Sequence, residues 1–215
     1  MKFPTKYDRY GHEWLTPISI GYHPGIDFNY GASFEDEGQD VIAITDGTVT
    51  YAKFCQGWGN HVIIHHKKYG VYSHCAHLKD ICVKENDIIK EGQLIAHLGN
   101  TGNSTAPHLH FEIRLKDITP NKYVKGMTLD EIKLCYTNPE EWIQKKIEEE
   151  KEGLKEEIDL NKCEPWAESY WKWFRDQKFD LSINAYEKVD AQWVATILGK
   201  YHELQNQNKN SNLLK

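Results

Sequence analysis

Two short runs hold side chains whose types and spacing suit chemistry. His23-Pro24-Gly25-Ile26-Asp27 sets an imidazole and a carboxylate four positions apart, beside a glycine. Pro107-His108-Leu109-His110-Phe111-Glu112 holds two imidazoles two positions apart. On a β-strand, residues i and i+2 project from one face, so His108 and His110 are expected to point at a single site. Two histidines and an aspartate are donor types that a catalytic zinc prefers, with a fourth position kept open for water. A third piece, His77 within Ser73-His74-Cys75-Ala76-His77-Leu78, adds an imidazole suited to moving protons near neutral pH. A single histidine on a strand is usually just satisfied by hydrogen bonds; here the grouping points to a metal.

Elements that can position these groups are legible around them. Val41 to Ile44, Gly47 to Ala52, His61 to His66, Val71 to Ala76, Leu94 to Leu98 and Leu109 to Leu115 read as short strands. Turn signals separate them at Asp46-Gly47, Gly57-Trp58-Gly59-Asn60, Glu91-Gly92-Gln93 and Asn100-Thr101-Gly102-Asn103. Many short strands at this spacing predict an antiparallel sheet. The character changes at Asn138-Pro139-Glu140-Glu141, where Asn138 suits a helix cap, Pro139 the first turn and Glu141 a capping box. The helix is expected to run to about Asp159 as a solvated, Glu- and Lys-rich face without chemistry. Beyond Cys163, Trp166, Tyr170, Trp173 and Phe174 form one helical stripe, and Val189, Trp193, Ile197, Tyr201 and Leu204 form a second.

Composition narrows the class. The chain has 215 residues, 40% hydrophobic and 27% charged, as expected of a globular protein. Its net charge of -6 and lack of basic runs argue against a dedicated nucleic-acid partner. No stretch approaches the roughly 20 apolar residues of a membrane span, so no membrane insertion is expected. The five cysteines form no CxxC pair and read as free thiols from a reducing compartment. Met1 to Tyr10 lacks the apolar core of a signal peptide. The expectation is synthesis in the cytoplasm and release by lysis or another route, or a leader absent from this sequence.

With these motifs the sequence resembles the lysostaphin-like family of zinc metallopeptidases. The resemblance rests on His-Pro-Gly-Ile-Asp at 23–27, Asp46-Gly47-Thr48-Val49, Gly59-Asn60-His61-Val62-Ile63-Ile64, Ala76-His77-Leu78, Gly92-Gln93 and the run from Gly99 to Glu112. Asn138-Pro139 matches the dipeptide that often closes such domains, so the likeness covers about residues 17 to 142 in the family's order. It implies one zinc per chain held by His23, Asp27 and His110. His77 and His108 are then the catalytic, non-ligand imidazoles. Ala106 stands where the family usually has Gly, and Cys75 where an aromatic is common. A buried small residue is expected at Cys75. His61, His65, His66, His74 and His97 match no family role and are read as structural or surface histidines.

The implied fold is α+β: a mainly antiparallel β catalytic domain over 1–142, a charged helical linker over 143–162, a small α-helical module over 163–205 and a disordered tail over 206–215. The implied activity is that of a zinc metalloendopeptidase hydrolysing peptide bonds in peptidoglycan cross-bridges or stem peptides. Water acidified by the metal attacks the amide, and His77 or His108 takes the proton. Peptidoglycan is the expected partner, and the arrangement resembles a phage-type endolysin. The alternative is a non-catalytic wall-binding or activator protein on the same fold. Glu164-Pro165-Trp166-Ala167 followed by Trp171 resembles the S-layer-homology type of wall-binding repeat, but Lys188-Val189-Asp190 replaces that family's threonine-arginine signature. Wall binding and a small aromatic core both remain open for the module.

Overall fold

Alternation of apolar and polar residues along extended segments sets the architecture, because successive side chains of a strand face opposite ways. The computed structural model describes residues 1–31, 35–118 and 124–157. The aromatic stripes, the helical module over 163–205 and the tail lie outside the described residues. In chain order the elements are β1 (Arg9–Tyr10), β2 (Pro17–Ile18), β3 (Gly21–Tyr22), β4 (Ile26–Asn29), β5 (Asp40–Ile42), β6 (Gly47–Cys55), β7 (Gly59–His66) and β8 (Val71–Leu78). There follow β9 (Asp80–Ile81), β10 (Ile88–Ile89), β11 (Leu94–His97), β12 (Leu109–Arg114), α1 (Leu129–Lys133), β13 (Tyr136–Thr137) and α2 (Pro139–Glu157).

The main sheet runs β1-β4-β12-β8-β7-β6-β10, with β13 added beside β12. A smaller sheet runs β5-β11-β9, and β2 pairs with β3. All of these pairings are antiparallel. Phe28, Val49, Val62, Ile64, Cys75, Leu109, Phe111 and Ile113 of the main sheet join Val41, Ile95, Ala96 and Leu98 in one buried core. Fully burying one such aliphatic side chain contributes about 1.5–3 kcal/mol. Cys75 lies inside this core, where burial pushes its thiol up, so it faces apolar neighbours and not the metal side.

Two kinds of feature depart from the sequence reading. The short strands β1, β2, β3, β4, β9, β10 and β13 and helix α1 carry too few alternating positions to announce themselves. A reciprocal capping box between Thr128 and Glu131 opens α1. The charged helix is solvated on one side only. Asn138 accepts from the backbone of Glu140 and Glu141 at its start. Ile143 is then fully buried, and Trp142 and Ile147 pack on the core beside it. Further along, Glu150 accepts from Lys68 Nζ at 3.0 Å and from the Tyr69 hydroxyl. Trp142 and Ile143 are adjacent and Ile147 follows one turn later, and the surrounding Glu and Lys residues hide that narrow apolar stripe in the sequence. Met1–Glu156 accordingly form one compact unit. Among the described residues no helix is long and apolar enough to cross a membrane.

Candidate metal centre

Strand β12 builds the site. Leu109, Phe111 and Ile113 face the core, while His110, Glu112 and Arg114 alternate with them on the opposite face, and all six are buried. His110 pairs in register with Asp27 of β4 on one side and Ala76 of β8 on the other. Glu112 faces His74 across the same pair of strands. The turn before β4 must bring His23 alongside. It can do so only because position 25 is glycine: a Cβ there would lie 2.3 Å from the Phe111 carbonyl oxygen and 3.0 Å from Glu112 Cγ.

Three donor atoms close a nearly equilateral triangle. His23 Nε2 lies 3.0 Å from His110 Nδ1 and 3.1 Å from Asp27 Oδ1, and His110 Nδ1 lies 3.0 Å from Asp27 Oδ1. All three residues are buried, with 2–6% of their surface exposed. Burial disfavours charge on Asp27, but hydrogen bonds from His110 and His23 outweigh it and hold the carboxyl far below the ordinary range. Burial likewise opposes charge on His110, yet the bonds to Asp27 and Glu112 push its pKa up to about 9. The field between these carboxylates therefore favours a cation.

The protonation of the ring nitrogens follows from a chain of buried partners. Arginine has donors only. Arg114 Nε donates to Glu112 Oε2 at 2.6 Å and Arg114 Nη2 to His74 Nδ1 at 2.7 Å, so His74 Nδ1 must be the acceptor. His74 Nε2 then donates to His61 Nδ1 at 3.0 Å. Both rings are held neutral chiefly by burial, with the Arg114 charge adding to it. The 3.0 Å approach of His74 Nδ1 to Glu112 is thus a meeting of two acceptors, tolerated because Arg114 spans them. Glu112 Oε1, 3.0 Å from His110 Nε2, accepts that N–H, so a cation taking the place of the Nδ1 proton would meet the Nδ1 lone pair aimed at the triangle. A carboxylate behind a metal-bound histidine plays this orienting part in many metal sites.

The triangle fits a divalent cation. Ligands about 2.0–2.1 Å from a tetrahedral zinc stand roughly 3.3 Å apart, slightly wider than the edges seen here. Three acceptor-rich atoms crowded at this distance in a buried site are satisfied most simply by one shared cation. His23, Asp27 and His110 would hold it.

Two further imidazoles flank the triangle. His77 Nδ1 donates to the Thr101 carbonyl at 2.9 Å, and His108 Nδ1 to the Ala106 carbonyl at 2.9 Å. Each ring therefore keeps a bare Nε2; that of His108 lies 3.7 Å from Asp27 Oδ1. Burial first, then the neighbouring imidazoles, lowers His77 to about 3; burial also lowers His108. Both are neutral bases near neutral pH, with ring centroids 4.9 Å apart. His77 adopts φ 60°, a left-handed conformation strained for a non-glycine residue. Its N–H donates to the Trp58 carbonyl at 2.9 Å, which helps hold it there. The Trp58 ring stacks on His110 at 4.8 Å.

The structure thus gathers all five residues singled out in the sequence. Glu112, Arg114, His74, Trp58 and the Thr101 carbonyl went unassigned there. The strict alternation of His108, His110, Glu112 and Arg114 was the available signal. Of the other histidines, His66 Nδ1 donates to the Asp46 carbonyl at 3.0 Å and its Nε2 accepts from the Ser73 hydroxyl at 2.8 Å, and His65 stacks on Tyr72.

An antiparallel β scaffold with two histidines and an aspartate as a buried donor set, and neutral imidazoles beside it, defines a metallopeptidase-type centre. Residues 21–122 match the model of peptidase family M23, and this stretch is a domain of that family. The catalytic domain of the antimicrobial peptidase lysostaphin from Staphylococcus simulans shares the fold. It is 28% identical, covers 63% of this chain and 92% of its own, and has a TM-score of 0.51. The murein hydrolase activator NlpD of Escherichia coli is 42% identical over 109 residues, 49% of this chain and 27% of that protein. The DD-carboxypeptidase/endopeptidase Mpg of Neisseria meningitidis serogroup B is 40% identical over 93 residues, 43% of this chain and 20% of that protein. The chain thus spans about a quarter or less of the length of these curated relatives. Family membership and the donor set together imply a metal.

Proposed function

We propose that this chain is a zinc-dependent endopeptidase that hydrolyses peptide bonds of peptidoglycan. The observation that carries the reading is the completeness of the centre: three converging donors, and two neutral imidazoles with bare Nε2 atoms beside them. When bound, zinc supplies Lewis acidity, which acidifies water and polarises a carbonyl. The chain's own residues handle position and protons. Glu112 fixes the His110 tautomer, and the Trp58 ring shields it. Nε2 of His108 or His77 accepts a proton as water attacks the amide carbon, and returns it to the departing amine as the C–N bond breaks. Asp27, committed to the cation, is not needed as the base.

Peptidoglycan as the substrate rests on the relatives, among them an endopeptidase and lysostaphin. The likeness to a murein hydrolase activator motivates a second reading, a module that binds the wall or activates another hydrolase without cutting. Purified peptidoglycan of several wall types, incubated with the zinc-loaded chain, tests the choice. New amino termini found by mass spectrometry, and lost on chelation, support the peptidase. An intact wall with metal bound supports the activator.

A further inference from the structure

The smaller sheet holds a second cluster of metal-binding side chains. Asp80 pairs in register with His97, and His97 with Asp40, across β9, β11 and β5. Cys82 lies two residues beyond Asp80 and continues the ladder, its N–H donating to the Ile95 carbonyl at 2.9 Å. The donor atoms converge: His97 Nδ1 is 2.6 Å from Asp80 Oδ1, and Cys82 Sγ is 3.8 Å from Asp80 Oδ1 and 3.9 Å from His97 Nδ1. Asp40 Oδ1 stands 3.8 Å from the other ring nitrogen, His97 Nε2.

We propose that Asp80, Cys82 and His97 form a second, solvent-facing site for a transition-metal cation of the zinc class. A thiolate, an imidazole and a carboxylate together suit zinc or cobalt and not magnesium or calcium, which take oxygen donors. Around a tetrahedral zinc, sulfur stands roughly 3.5 Å from nitrogen or oxygen ligands, and those stand about 3.3 Å from each other. The two sulfur edges therefore close by a few tenths of an ångström, and the His97–Asp80 edge opens as its hydrogen bond gives way. Binding releases the thiol proton, while the His97 proton passes from Nδ1 to Nε2, on the side of Asp40. Asp40 is placed to steady the opposite ring nitrogen through a water. As a free thiol Cys82 is a poor nucleophile, because burial and the Asp80 carboxylate raise its pKa. A cation reverses that balance.

The position has a structural consequence. β9 leaves β8 just after His77, and β11 leads into the loop that carries Thr101 and His108, with Lys79 N bonded to the His97 carbonyl at 2.8 Å. A cation clipping β9 to β11 would stiffen both walls of the first centre.

The test uses the full chain, stripped of metal and titrated with Zn²⁺ and separately with Co²⁺. Two equivalents are expected for the unaltered chain and one for C82S and for H97A. In C82S the second equivalent should weaken on the order of 100-fold or more, since even outer partners of a metal site cost 10- to 100-fold. Cobalt should give a thiolate charge-transfer band that vanishes in C82S. Cys82 and His97 are both at least partly exposed, so unchanged circular dichroism is expected for C82S and H97A. A single equivalent in the unaltered chain, or equal stoichiometry and an equal thiolate band in C82S, overturns the proposal. Failure of the first centre shows differently, as metal content insensitive to H23A.

Discussion

Replacing Glu112 by glutamine probes the link between the buried polar chain and the metal centre. The change keeps the shape and one acceptor but removes the charge. Glu112 is fully buried and serves two donors, His110 Nε2 at 3.0 Å and Arg114 Nε at 2.6 Å. The amide of E112Q can satisfy only one. With its oxygen on Arg114, the NH₂ meets His110 Nε2–H, and the ring must move its proton to Nδ1, the atom meant for the metal. With its oxygen on His110, the NH₂ meets Arg114 Nε–H, and a buried guanidinium loses its counter-charge. Breaking one side of a buried ion pair costs about 3–5 kcal/mol. In a chain of this size that lowers Tm by roughly 6–20 °C. Metal affinity should fall about 10- to 100-fold, the usual effect of losing a partner behind a ligand. Competition for zinc against a chelator, beside thermal unfolding of the same metal-free samples, measures both. Unchanged zinc affinity and a Tm within about 1 °C would refute the orienting role and the tautomer assignment derived from Arg114.

Other consequences are equally direct. G25A should displace the His23–Asp27 turn from β12, because the added Cβ meets the Phe111 carbonyl at 2.3 Å; weakened zinc binding is expected, and unchanged binding would show that the strands can part freely. Burial holds His61 and His66 down to about 4, so the unfolded chain takes up protons first as pH falls. Their contribution is present above about pH 6.5 and lost toward pH 4, at about 1.4 kcal/mol per pH unit for each; H66Q should flatten the acid limb of a stability–pH curve by that slope, and an unaltered limb would contradict it. A chain ending at residue 145 should melt below one ending at 157, since it loses Ile147 and the Glu150 contacts with Lys68 and Tyr69. If the segment beyond 157 binds walls, the 157-residue form should lose more activity on intact walls than on short soluble wall peptides, through lost effective concentration; equal rates on both would assign the aromatic stripes another role.

Much of this centre was legible because β-structure writes itself at period two. His108 and His110 announced a shared face, and the same alternation through Glu112 and Arg114 extends it. What the sequence did not reveal was who answers whom across strands. His74 meets Glu112, and Asp27 meets His110, only because β4, β12 and β8 are adjacent in a particular register. That register depends on distant glycines and turns, which no local pattern encodes. Trp58 looked like a turn residue and is the ring beneath His110. The docking face of α2 was missed for another reason: Trp142, Ile143 and Ile147 are outnumbered by charged neighbours, and a stripe this narrow barely shifts the average. Asp80 and Cys82 stand two apart at β9, but His97 comes from β11, so nothing linear connects it to them.

The account's central claim is a division of labour between metal-holding and proton-moving residues. It is tested most directly by measuring zinc content and peptidoglycan cleavage rate together in H108A and H110A. The account predicts that H108A keeps one zinc at the first centre while cleavage falls on the order of 10²-fold or more, the scale of general acid–base assistance. H110A should lose that zinc and its cleavage together. Near-normal cleavage by H108A, or full zinc retention by H110A at that centre, would contradict it.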